Sequence, residues 1–271
     1  MTRRPVDHVK FILRKIVLAI LALIVAFPLL YMFSSSLFSA KDFNQIRILP
    51  QTPMWSNYAK VFGHRHFFGY IINSVGTSVL AALIRTVVTV LAAFALTHLQ
   101  FRGRKLVFAL LVLTLFVPQE AILYQNYRTV AVLGLLDTWA GIISTSLFSA
   151  AQLLLVMGSF RAQDRSSYDA ARIDGATNIR YILSVLVPLS GPAVMTVTIQ
   201  TLITTFNSYL WPLLVTNKAR TRTIQTGITM LGFAESGDTG AQMAALVLIT
   251  VPFLLLLAFA KGRIEKALIR R

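Results

Sequence analysis

The sequence predicts an all-α polytopic membrane protein with six transmembrane helices, on three observations. Hydrophobic residues make up 56% of the chain and charged residues only 13%, against about 25% charged in a soluble domain. Six apolar stretches, near 13–35, 70–97, 105–123, 139–159, 191–214 and 241–260, each supply the roughly 20 residues that a spanning helix needs. The lysines and arginines fall between these stretches rather than on one face, so the net charge of +16 does not point to nucleic acid. No low-complexity linker or 20–50-residue repeat divides the 271 residues, which read as one membrane domain with a core at about 70–260.

Arg3, Arg4, Lys10, Arg14 and Lys15 precede the first stretch, as in a signal peptide. The apolar run after them is longer than the usual 7–15 residues, and Ser34 to Ser36 make a weak cleavage site, so it reads as an uncleaved span. The segment 36–69 is polar and aromatic, with Pro50, Pro53 and Trp55. His64 and His66 are the only close histidine pair and have no acid beside them, which favours a loop over a metal site. Arg85 stands in the middle of the second stretch, where an unpaired, unhydrated charge costs on the order of several kcal/mol. Pro118 would break or kink the end of the third, leaving Glu120 at a helix end.

The segment 161–190 is the longest polar insertion with internal grammar. Ser166 precedes Asp169 by three residues, the spacing of a capping box, which would put Asp169 in the first turn of a helix, where a carboxylate suits the dipole. Ala170 and Ala171 are small enough for another backbone to approach. Gly175 suits the left-handed residue that ends a helix. Thr177 suits the cap of a second helix, with Ile179, Ile182, Leu183 and Leu186 on one face. Pro188 fits the first turn of the next helical segment. In the fifth stretch Thr196, Gln200, Thr204, Asn207 and Trp211 recur at helical spacing, widened by Thr201, Thr205 and Ser208. Such a stripe must face protein or water rather than lipid.

Orientation is read from the positive charges. With the N-terminus inside, the inner segments hold seventeen lysines and arginines and the outer ones, 36–69, 124–138 and 215–240, hold eight. Both termini and the 161–190 segment are therefore expected in the cytoplasm.

The same segment resembles the cytoplasmic "EAA loop" of bacterial ABC-importer permeases, whose pattern is E-A-A, three residues, Gly, nine residues, I-x-L-P. Asp169, Ala170, Ala171, Gly175, Val185, Val187 and Pro188 hold the patterned positions, with Asp for Glu and Val for Ile and Leu. The run Ala170 to Ala176, AARIDGA, is similar to that of the carbohydrate-type permeases of the maltose and glycerol-3-phosphate systems, as is the "INSV" run containing Asn73 and Ser74. The resemblance implies the ABC-importer permease (MetI-like) fold and a carbohydrate-class solute: a sugar, an oligosaccharide or a glycerol-phosphate type. It also implies a homologous second permease, two copies of an ATPase subunit, an extracytoplasmic binding protein and the bacterial inner membrane with its lipid. Tyr168, Asp169, Ala170, Ala171, Arg172, Asp174, Gly175 and Pro188 would then couple to the ATPase. Arg85, Glu120, Gln200, Thr204, Asn207, Ser208 and Trp211 are the candidate pathway residues. Arg85 would face the path or a subunit interface, or pair with a partner-chain carboxylate; a basic residue here in glycerol-3-phosphate-type permeases points to an anionic solute.

No G-x-x-x-x-G-K-[ST] loop occurs in the sequence. ATP and Mg are therefore expected on the partner ATPase, with no cofactor in this chain. The absence of G-x-S-x-G, H-E-x-x-H and cysteine argues against a polytopic enzyme. A channel or secondary transporter is the other class, distinguished by working without ATPase chains.

Overall fold

A computed structural model describes residues 5–45, 47–230 and 238–269. Among these there is no strand; the elements are helices joined by turns. Arg3, Arg4, Arg270, Arg271 and part of the 215–240 segment lie outside the described residues. Two compact units divide the chain: residues 1–67 with 228–271, and residues 68–227.

In the first unit the first span is a helix over Pro5–Ser35, and its Arg14–Ser35 portion leaves its apolar surface open. Ser39 and Asp42 form a complete capping box on the short helix Ala40–Asn44. The buried Asn57 carboxamide donates to the carbonyls of Ser36 and Phe38, at 2.9 and 3.0 Å. Lys60, on the helix Ser56–Gly63, pairs with Asp238 ahead of the helix Thr239–Ile269.

The second unit is built along the helix Phe67–Thr97. Its core joins Val90, Ala93 and Phe94 to Leu153, Val156, Met157 and Phe160 of the fourth span and to Tyr181, Ile182, Leu186 and Val197. Two uninterrupted described helices are long and apolar enough to cross a bilayer, Arg14–Ser35 and Phe67–His98. The third, fourth and fifth stretches, expected as single spans, are each broken. Arg104–Phe116 and Gln119–Val132 meet at 98° and Trp139–Ser146 and Ala150–Arg161 at 59°; the fifth is broken after Phe206, and at its start it bends by 88° from the preceding helix Asn178–Leu189. Pro118 explains the first break, as it donates no amide and is extended here. Extended Ser149 makes the second by capping a new helix start. The fifth span starts at Gly191 and ends at Phe206, short of 214, because Asn207 caps it and a separate helix Leu210–Val215 comes next. Of the sixth stretch, Thr239–Pro252 is a shorter apolar helical segment.

The Asn73 end of the Phe67–Thr97 helix is pinned by polar side chains. The Asn73 amide donates to the carbonyls of Arg220 and Arg222, both at 3.0 Å, while its oxygen accepts from the Trp139 indole at 3.0 Å. The indole lies over Gly76, where a Cβ would sit 2.2 Å from the ring. Ser74 Oγ accepts from the Ile224 amide at 2.7 Å. Asp137 Oδ1 accepts from the amides of Asn217 and Lys218 and from the Thr221 hydroxyl, each at 2.8 Å. Burial alone would raise the Asp137 carboxyl, but the Lys218 amide, Thr221 hydroxyl and Asn217 amide together hold it below the usual carboxylate range.

Candidate functional site

The polar hairpin is closed by local chemistry. Its first helix, Arg165–Ile173, begins one residue after Asp164, whose carboxylate accepts from the Ser166 amide at 3.1 Å and the Ser166 hydroxyl at 2.7 Å. These bonds, the hydroxyl's first, hold the Asp164 carboxyl below its ordinary range. The Ser166–Asp169 capping box is therefore not formed. An extended acidic residue two positions earlier takes the cap, and Asp169 falls in the second turn. Gly175 has φ +76°. The Ala176 amide donates to the Ala171 carbonyl at 2.9 Å and the Gly175 amide to Arg172 at 3.1 Å, the paired bonds of a Schellman ending. Thr177 caps Asn178–Tyr181 by accepting from the Arg180 amide at 3.3 Å. A wide π-helical turn, Ile182–Leu186, leads into Val187–Leu189, which carries Pro188 in its first turn.

The hairpin sits on rings. His98 stacks on Phe94 (centroids 5.2 Å apart, planes at 15°) and meets Tyr168 edge-on at 5.3 Å and Tyr181 at 5.9 Å. Ser167 and Tyr181 share a hydroxyl bond of 2.9 Å, and the Tyr168 hydroxyl donates to Asn178 at 3.0 Å. Both helices of the hairpin are thus tied to the Thr97 end of the Phe67–Thr97 helix. Tyr168 and Ala171 pack inward on this core, whereas Asp169, Ala170, Arg172, Asp174, Gly175 and Pro188 are exposed. The expected single face of the second helix divides: Ile182 and Leu186 are buried, Ile179 and Leu183 exposed. The buried pair stands at the two ends of the π turn Ile182–Leu186. Exposed beside them is Ile173, at 87% the most open large apolar side chain described. The motif spacing does not single it out; an isoleucine just before Asp-Gly, on the polar side of a short amphipathic helix, is its signal.

The pathway candidates separate in the same way. Thr196, Gln200, Thr204 and Asn207 are exposed along the Gly191–Phe206 helix and its cap, while Thr201 and Thr205 are buried. Trp211 does not continue the stripe. The helix ends before it, and its indole is buried, donating to the Gly141 carbonyl at 3.0 Å. Ser208 is half-buried in the intervening turn. Glu120 is exposed in the turn Gln119–Ile122. Arg85 is half-buried and its Nε donates to the Ser146 carbonyl; among the described residues no carboxylate pairs with it. The Gln152 carboxamide, which lies outside the span-five stripe, is buried and donates to Gln200 Oε1 at 3.2 Å. Thr86 and Thr198 share a hydroxyl bond of 2.9 Å.

Apolar helices long enough to span a bilayer, broken partners beside them and a folded polar hairpin between two of the breaks define a multi-span helical membrane protein. The chain is 30% identical over 278 residues to the sn-glycerol-3-phosphate transport system permease protein UgpE of Agrobacterium fabrum, covering 97% of this chain and 98% of that protein. It is 28% identical over 247 residues to the trehalose transport system permease protein SugB of Mycobacterium tuberculosis, covering 89% of each. Its fold matches a chain of a bacterial ABC transporter involved in the import of the acidic polysaccharide alginate, with a TM-score of 0.79 at 22% identity over 97% of this chain and 99% of that one. A second match, at a TM-score of 0.63, 17% identity and 95% and 96% coverage, is to the alginate transporter in complex with an alginate pentasaccharide-bound periplasmic protein. No protein-family model matches the chain. The chain belongs to the family of ABC-importer permease subunits.

Proposed function

We propose that this chain is one of two homologous permeases enclosing the pathway of an ATP-driven importer in the bacterial inner membrane, with both termini in the cytoplasm. Two copies of a separate ATPase bind below it, and an extracytoplasmic binding protein delivers the solute. The observation that carries the coupling role is the hairpin's two-sidedness. Tyr168, Ala171 and Tyr181 anchor it to its own core, while Asp169, Arg172, Ile173, Asp174 and Ile179 are left open. A short helix seated rigidly on one side with an apolar anchor on the other suits a groove on a partner. ATP-driven closure of the ATPases then moves the hairpin as a body and switches access across the membrane. ATP hydrolysis and its Mg belong to the partner.

The solute is an anionic carbohydrate-class molecule of the glycerol-phosphate type. Support comes from the glycerol-3-phosphate transport of a relative and from Arg85, a permanent cation one residue before Thr86, whose hydroxyl bonds Thr198 on the span-five helix. The coupling role is tested with Gly175→Val, since a β-branched residue at φ +76° opposes the left-handed ending. The variant stays in the membrane and loses at least tenfold in uptake; wild-type uptake removes the coupling assignment. Arg85→Ala lowers uptake of an anionic solute more than it lowers co-purification with the ATPase. Equal losses make Arg85 a structural residue.

A further inference from the structure

The sequence Ser149-Ala150-Ala151-Gln152 has the spacing of a capping box, in which the third residue's side chain turns back to the cap's own amide. Only half of the box is formed. Ser149 accepts from the Gln152 amide at 3.5 Å, but the Gln152 carboxamide leaves its helix and donates to Gln200 Oε1 at 3.2 Å. Its own oxygen lies 3.3 Å from the buried Thr201 hydroxyl. At Ser39 and Asp42 the same chain forms both halves, so the local option is available and is forgone at Gln152. At 5% exposure, the carboxamide needs partners, because a buried amide without them costs free energy.

The same break holds a second pathway residue. The turn Ser144–Ser146 ends just before the bend, where terminal carbonyls lack helical partners, and the Ser146 carbonyl accepts from Arg85 Nε. A guanidinium has five N–H donors, so four of Arg85's lie beyond this bond. With its oxygen taken by Gln152, Gln200 likewise has its amide N–H groups left.

We infer that the break in span four, residues 144–152, is a positioning element for solute recognition: it fixes Arg85 and Gln200 so that both present N–H donors, the chemistry that selects phosphate, carboxylate or hydroxyl oxygens. This rests on the pathway reading of the span-five stripe. Gln152 is a positioning residue acting through Gln200, and it touches no solute itself.

The test uses the assembled importer in proteoliposomes with sn-glycerol-3-phosphate as the probe. Gln152→Leu raises KM about tenfold and leaves kcat and ATP hydrolysis within twofold, and Gln152→Leu in a Gln200→Leu background adds nothing further. Gln152→Glu keeps the shape but cannot donate when ionised, so Gln200 must turn its amide inward, and KM rises at least as much. Additive losses in the double variant, an unchanged KM, or kcat and ATP hydrolysis falling with uptake overturn the inference. No uptake of the probe by the wild type overturns it together with the proposed solute class. The chain has no cysteine, so Thr204→Cys reports water access directly. If the anionic thiol reagent MTSES fails to label it in the assembled importer, the pathway reading falls, and the inference with it. Labelling combined with a wild-type KM in Gln152→Leu removes the inference alone.

Discussion

The two ends of the Phe67–Thr97 helix are held by different chemistry. At the Asn73 end, directional polar bonds consume the acids and amides present: Asn73 makes three such bonds, and Asp137 Oδ1 accepts three. At the Thr97 end, His98, Tyr168 and Tyr181 pack by their faces and edges, and the charges of the hairpin point away from them. Directional bonds fix a loop in one geometry and leave little for a partner. Ring packing seats an element firmly while freeing its polar side to be read by another chain. The first end is therefore scaffold, and the second leaves an open polar face, the one the proposed coupling role uses.

Substitutions separate the two ends, and the largest effect falls on the scaffold. Gly76→Val forces the Trp139 indole off the helix and breaks its bond to Asn73. Overpacking of this kind costs about 1–3 kcal/mol, read as a lower Tm of the purified complex. Asp137→Ala removes the shared acceptor of three donors and costs about 1 kcal/mol, while ATP hydrolysis per solute imported stays at the wild-type ratio. A change in that ratio blurs the contrast between the ends.

The pH response of Asp137 comes from its lowered carboxyl. A depressed folded-state pKa stabilises above the unfolded value, near about 3.9, and that contribution fades as pH falls through the folded value. Asp137→Asn therefore flattens part of the loss of Tm in acid; an unaltered profile shows that the carboxylate's charge is not what the three donors require. The smallest effect on stability is at the hairpin. Ile173→Ser, at a side chain 87% exposed, changes stability by less than about 0.5 kcal/mol but lowers co-purification of the ATPase. Retained ATPase binding moves the apolar anchor to Ile179 or elsewhere.

What is legible in the sequence is local. Gly175 ends a helix and Thr177 starts one because each acts on amides or backbone angles within a few residues. The cap at Asp164 is not legible because Asp164 and Ser166 could each start the helix, and backbone geometry, not spacing, decides between them. Trp211 falls on the polar stripe by spacing alone because spacing assumes an unbroken helix, and the helix stops at Phe206.

The sequence by itself determined that the chain is helical, crosses a membrane and carries a Gly-ended polar hairpin with the importer-permease spacing. Those properties come from apolar run length, charge placement and short-range backbone chemistry. Only the tertiary structure decided which side of the hairpin is free, which threonines of span five are buried, and that Gln152 reaches Gln200 rather than its own cap. Those outcomes depend on partners 48 or more residues away, and a pattern of spacing has no access to them.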